Sequence, residues 1–70
     1  MRKNLFMAEL ARNELSIPAL ADKLGVSKST VYRWLDNPGA LSLDDLQRMR
    51  QILGLSDAVL ISIFFAEEVA

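Results

Sequence analysis

Between residues 17 and 36, apolar side chains recur at helical spacings while polar ones gather on the other side. Leu20 and Leu24 lie four apart, and Val31, Trp34 and Leu35 lie three and four apart, so two short segments each carry one apolar stripe. Such stripes must be buried against each other and against a third element. Ala21 falls where the two segments would pass closest, and a larger side chain there would push them apart. Gly25 follows the last periodic residue of the first segment, where a left-handed helix stop favours glycine. Val26 then points inward, and Ser27 can cap the N–H groups of the next helix. Pro18 lies in the first turn of its helix, where a missing N–H costs nothing. The pattern predicts a helix, a short turn and a second helix whose outer face is Lys28, Ser29, Tyr32 and Arg33.

The same reading extends to the rest of the chain. A first helix is predicted over about residues 2–13, with Phe6 and Leu10 as core contacts and Leu15 closing the turn after it. The second and third cover about residues 18–24 and 28–35. Asp36-Asn-Pro-Gly then ends the third, because Pro38 disfavours helical geometry at Asn37 and Gly39 supports a turn. Ser42 caps a fourth helix with Asp44 and Asp45 in its first turn, Leu46, Met49, Ile52 and Leu53 as its apolar stripe, and Gly54 as its stop. Ser56 or Asp57 could cap a fifth, reaching about residue 67. The expected fold is all-α, a compact bundle of about five helices with a central helix-turn-helix at residues 17–36, in a single domain spanning residues 1–70.

Leu20, Ala21, Leu24, Gly25, Val26, Val31 and Trp34, with the stretch Gly-Val-Ser-Lys-Ser-Thr-Val-Tyr-Arg-Trp, resemble the helix-turn-helix of phage repressor/Cro-type transcription regulators. Residues 41–56 are similar to the helix that follows in that family, and the resemblance covers roughly residues 4–56. It implies a lambda repressor-like DNA-binding domain. Two positions depart from the family. Ile17 stands where these regulators very often carry a glutamine that clamps a phosphate, so either backbone N–H groups make that contact alone or this surface meets something less polar than DNA. Leu10 and Leu35 stand where some members pair a buried arginine with a glutamate. A hydrophobic pair can replace a buried ion pair at similar or better stability, and direct contact between the two leucines is expected.

Composition narrows the chemistry. The 51% apolar content of 70 residues suffices for a small helical core. Cysteine and histidine are absent, so no disulfide framework or thiolate metal site is expected and the commonest general base is missing. No glycine-rich phosphate loop or metal-ligand spacing occurs, and Asp44-Asp45 at a helix start is explained by the helix dipole. The chain is therefore read as no enzyme, with no cofactor and no metal. No signal pattern is seen, and the apolar run at residues 58–66 is too short to span a bilayer, so a soluble cytoplasmic protein without membrane contact is expected. A net charge of −1 and a pI near 5.2 do not suggest a phosphate-bound domain. The distribution is uneven. Residues 1–40 hold six basic and four acidic side chains, a balance of +2, while residues 41–70 hold two and five, a balance of −3. The positive half contains the helix-turn-helix.

If the third helix enters the major groove by its N-terminal end, Lys28, Ser29, Tyr32 and Arg33 reach base edges. Arg33 can give a bidentate bond to guanine, Lys28 can reach guanine or a phosphate, and Ser29 can donate or accept with little preference. Tyr32 can pack on a thymine methyl or bond a phosphate. Thr30, the backbone of Ser27 and the loop near Asn37 are better suited to phosphates. Each of these side chains also has the plain reading of a solvated helix face.

The segment Ala58-Val-Leu-Ile-Ser-Ile-Phe-Phe-Ala carries apolar residues on three neighbouring helical strips, more than one face of a small bundle can bury. Homodimerisation through Leu60, Ile61, Phe64 and Phe65 is the first candidate, a fully buried fifth helix the second, and a β-strand a third. Two functions remain in view. One is a homodimeric repressor of phage or prophage origin that covers operator DNA. The other is a protein-binding helix-turn-helix of antirepressor or antitoxin type, complexing another repressor through the C-terminal helix or the Ile17 surface.

Overall fold

Five helices account for most of the chain in the computed structural model, which describes residues 2–65: α1 (Lys3–Arg12), α2 (Ile17–Leu24), α3 (Lys28–Asp36), α4 (Leu43–Leu53) and α5 (Asp57–Phe64). A single 3-10 turn, Pro38–Ala40, joins α3 to α4. No strand occurs among the described residues, so the fifth segment is helical. The expected continuation of that helix to about residue 67 lies outside them. No described helix is long and apolar enough to cross a membrane.

The starts of α2 to α5 follow from one residue type. Ser16, Ser27, Ser42 and Ser56 each adopt extended backbone and accept a hydrogen bond from the N–H three residues on, satisfying a donor the helix leaves orphaned. At Ser42 the cap is reciprocal, since Asp45 reaches back to the Ser42 N–H. The stops of α1, α2 and α4 also share a form. A residue in the left-handed region is followed by an apolar one whose N–H returns to a carbonyl five residues back: Leu15 to Leu10, Val26 to Ala21 and Leu55 to Arg50, at 2.9–3.0 Å. Gly25 and Gly54 supply that conformation without strain at φ +72° and +66°. At the end of α1 it falls to Glu14, φ 56°, a position with no glycine to announce it.

One apolar cluster unites the helices. Phe6, Leu10, Leu20, Ala21, Leu24, Val31, Trp34, Leu46, Met49, Leu53, Leu55, Ile63 and Phe64 are all buried in it, and among the described residues no polar side chain is. Leu20, Ala21, Leu24, Val31 and Trp34 are thus buried together, as the helix-turn-helix reading requires. Leu35 packs against the cluster that contains Leu10 and is only partly covered, as are Leu15 and Ile52.

Two expectations are corrected. Ile17 belongs to this core, with 7% of its surface exposed. It opens α2 on the same strip as Leu20, Ala21 and Leu24, so burial of an apolar residue governs its placement and it offers no partner surface. Phe64 is also interior. Its ring meets Phe6 edge to face, with centroids 5.9 Å apart and planes at 71°, and the backbone beside it is tied down by the Arg2 N–H donating to the Ile63 carbonyl at 2.8 Å.

Candidate nucleic-acid interface

The third helix is anchored by two buried side chains, Val31 and Trp34, three residues apart on its inner strip. The side of the helix away from that strip must then face outward, and Lys28, Ser29, Tyr32 and Arg33 are all exposed. Tyr32, a large aromatic ring, has 49% of its surface in solvent. Among the described residues, neither α5 nor any other element covers these four. The structure brings them together on one face of a nine-residue helix.

The three residues expected near phosphates differ from one another. Ser27 is exposed, and its hydroxyl is engaged in capping, accepting from the Thr30 N–H at 3.2 Å. Thr30 is half-buried, and its hydroxyl lies 3.0 Å from that of Ser27. Asn37 is exposed just past α3, where its N–H donates to the Arg33 carbonyl at 2.8 Å. Its backbone, φ −139° and ψ 84°, has left the helical region, in keeping with the Pro38 that follows.

Pairing of charges, which composition cannot reveal, shapes the field over this face. Arg12 is bridged to Glu9 at 2.7 Å, Arg48 to Asp45 at 2.9 Å, Arg50 to Asp57 at 3.5 Å and Lys3 to Asp36 at 3.7 Å. Lys23, Lys28 and Arg33 are exposed and have no carboxylate partner among the described residues. Apart from Arg2 at the start of α1, the cations without a carboxylate partner among the described residues therefore fall on α2 and α3. A net charge of −1 conceals this arrangement, and the signal that could have found it is the three-residue spacing of Glu9 to Arg12 and Asp45 to Arg48.

Away from these α3 residues, α4 and α5 form an apolar groove of about 450 Å³, lined by Leu43, Leu46, Leu60, Ile61 and Phe65 with Gln47, Arg50 and Asp57. Leu43, Ile61 and Phe65 are 71%, 57% and 60% exposed. Of the four residues expected to contact a partner, Ile61 and Phe65 lie open, Leu60 is half-buried against the core and Phe64 is lost to it. Leu43 belongs with the open ones and was missed, because it directly follows the Ser42 cap and lies off the apolar stripe of α4.

Comparison with known proteins agrees with the geometry of the helix pair. No curated protein and no solved structure matches the chain. A family model of the homeodomain-like domain matches residues 5–47, from α1 through the helix-turn-helix into the first half of α4. That span is more than half the chain and includes every residue of the exposed α3 face. The chain belongs to the homeodomain-like family of helix-turn-helix DNA-binding domains.

Proposed function

We propose that this chain is a sequence-specific transcription regulator of the phage or prophage repressor kind, which sets α3 in the major groove of operator DNA and acts as a homodimer. The observation that carries the reading is the outer face of α3, where Lys28 and Arg33 are exposed, without a carboxylate partner among the described residues, beside Ser29 and Tyr32. Arg33 gives the bidentate bond to guanine, Lys28 a guanine or phosphate contact, and Tyr32 contact with a thymine methyl or a phosphate. Thr30, Asn37 and the backbone at Ser27 flank that face and suit the sugar-phosphate edge. The second copy is seated on the α4–α5 groove. One helix-turn-helix makes few contacts, and a two-fold axis doubles them.

Fluorescence anisotropy with mixed-sequence duplex DNA, over a series of salt concentrations, tests the reading. Affinity should fall steeply with salt, and a Lys28→Ala, Arg33→Ala double variant should bind more weakly with a shallower salt slope. A folded wild-type sample that does not bind at low salt would overturn the DNA role. It would favour the second reading, a helix-turn-helix modulator of antirepressor or antitoxin type, for which the exposed groove and the acidic balance of residues 41–70 speak.

A further inference from the structure

The outward face of α3 can read DNA only if its axis is held. Val31 and Trp34 anchor one strip, and the chain enters the helix through the turn at Gly25 to Ser27. What fixes that turn from outside is an arginine on another helix. Arg48 of α4 donates through Nη1 to the carbonyl of Leu24, the last residue of α2, at 2.9 Å. Its Nη2 donates at 2.9 Å to Oδ1 of Asp45, one turn earlier on its own helix. Asp45 is itself held by the reciprocal cap with Ser42. The planar guanidinium thus joins the rigid start of α4 to the carbonyl directly before the left-handed Gly25, with the positive charge at the negative end of α2.

The same construction recurs at the other glycine stop. Arg12 of α1 donates through Nη2 to the carbonyl of Leu53, the last residue of α4 before Gly54, at 2.8 Å, and is paired with Glu9 one turn earlier. Asn13 adds a second bond to that carbonyl at 3.2 Å. In both places an acid-x-x-Arg pair on one helix takes the final carbonyl of another that ends in a left-handed glycine. The two bonds are separate, α1 holding the end of α4 and α4 holding the end of α2. The end of α2 is the departure point of α3.

We infer that Arg48 is a positioning residue for the reading helix, fixing the direction of α3 through the Leu24 carbonyl; for its effect on DNA this rests on the reading of α3 given above. Two of the five N–H donors of the guanidinium are used within the protein, and the salt slope of binding tells whether the rest of this half-exposed side chain adds a phosphate contact. Arg12 serves as the control, since it makes the same kind of bond at the end of α4 and none with the turn.

The test compares Arg48→Ala, Arg48→Lys and Arg12→Ala with the wild type, well below each melting transition. One readout is amide hydrogen exchange at Val26, Thr30 and Val31, relative to Leu10. The other is duplex affinity with its salt slope. Arg48→Ala should speed exchange at the three turn amides by about ten-fold, the effect of losing one charge-assisted bond. It should weaken duplex binding by a similar factor with the slope unchanged. Arg48→Lys, able to serve one acceptor at a time, should fall between, and Arg12→Ala should leave both readouts as in the wild type. Exchange at the turn that is the same in Arg48→Ala and Arg12→Ala overturns the inference. So does a salt slope reduced by about one, which marks a lost phosphate contact. If the wild type binds no duplex, the DNA reading fails by itself, and the exchange data alone still decide whether Arg48 holds the turn.

Discussion

The outer face of α3 and the outer face of the α4–α5 pair are both exposed surfaces of about the same helical length, yet they differ in kind. On α3 the inner and outer strips are chemically distinct, Val31 and Trp34 against Lys28, Ser29, Tyr32 and Arg33. On α5 they are not, since Ile63 and Phe64 go in while Ile61 and Phe65 stay out. An amphipathic helix carries its own orientation, and an evenly apolar one receives it from its neighbours. Here the neighbour is α1, whose Phe6 selects Phe64 over Phe65 by an edge-to-face ring contact.

That difference is broken most sharply by substituting the adjacent phenylalanines at the end of α5, Phe64 within it and Phe65 directly after it. Phe64→Ala empties a packed site and should destabilise the protein by about 3–5 kcal/mol, a large part of the stability of a domain this small. Thermal unfolding at low protein concentration measures it. Phe65→Ala should leave the monomer's melting temperature nearly unchanged and, with Ile61→Ala, should lower the mass seen by sedimentation as the second copy is lost. Equal losses of stability in the two variants would mean that α5 turns its other strip inward.

On α3, substitution should move binding and leave stability alone. Arg33→Lys keeps the charge but removes the planar fork, so it should weaken operator binding by about 1–3 kcal/mol and relax the preference at one base pair, with little change in salt slope. A selection from randomised duplexes, run on both proteins, reads the change. An unaltered sequence preference would remove Arg33 from base contact and leave it as one more phosphate cation.

The same contrast governs how much of the molecule was legible in the sequence. Serine caps, glycine stops and the two apolar stripes of α2 and α3 are local signals, and helix ends inferred from them differ from the structure by a residue. The whole α3 face was legible for the same reason. Ile17 was not, because the resemblance of its position to a phosphate-clamping glutamine says where a family member's side chain points, while an isoleucine goes where burial takes it. Phe64 and Leu43 were missed because exposure on α4 and α5 is decided by long-range packing. The left-handed Glu14 has no sequence signal, since the stop it completes is marked only by Leu15 packing beneath it. Charge pairing lies between these cases, visible as three-residue spacings but fixed only once helices meet.

Smaller effects sharpen the account of the turn itself. Ser27→Ala deletes the side-chain acceptor for the Thr30 N–H and the hydroxyl contact with Thr30. It should destabilise the protein by about 1 kcal/mol, as the loss of a helix cap does. Gly25→Ala would meet no neighbouring atom, because nothing lies within 4 Å of the added Cβ, and its effect should come from the left-handed backbone alone. A loss of about 1 kcal/mol is expected there as well. Glu14→Gly, conversely, should stabilise α1's stop slightly, since glycine accepts φ 56° without strain. Melting curves of the three variants would show whether the stops at the ends of α1 and α2 obey one rule, and a stabilising Gly25→Ala would break it.

The smallest expected effect is a pH dependence centred on the start of α4. The Asp45 carboxyl is held below its ordinary value, first by the Ser42 hydroxyl, then by the Arg48 guanidinium and the Ser42 N–H, against an opposing contribution from partial burial. A folded-state value lower than the unfolded one means that the ionised carboxylate favours the folded state. Its contribution is fully present above the unfolded value, near 3.8, and is lost as the pH falls through the lower folded value. Asp45→Asn should therefore reduce stability at neutral pH and flatten the stability curve in the acid range, leaving the two proteins closer at the lowest pH where both remain folded. Because the same carboxylate steadies Arg48, the turn amides of the wild type should also exchange faster, relative to the core, as the acid range is entered. The acidic surface of α4 and the cationic surface of α3 are linked through this one residue. A stability difference between wild type and Asp45→Asn that stays constant across the acid range would show that the carboxylate's charge has no part in that link.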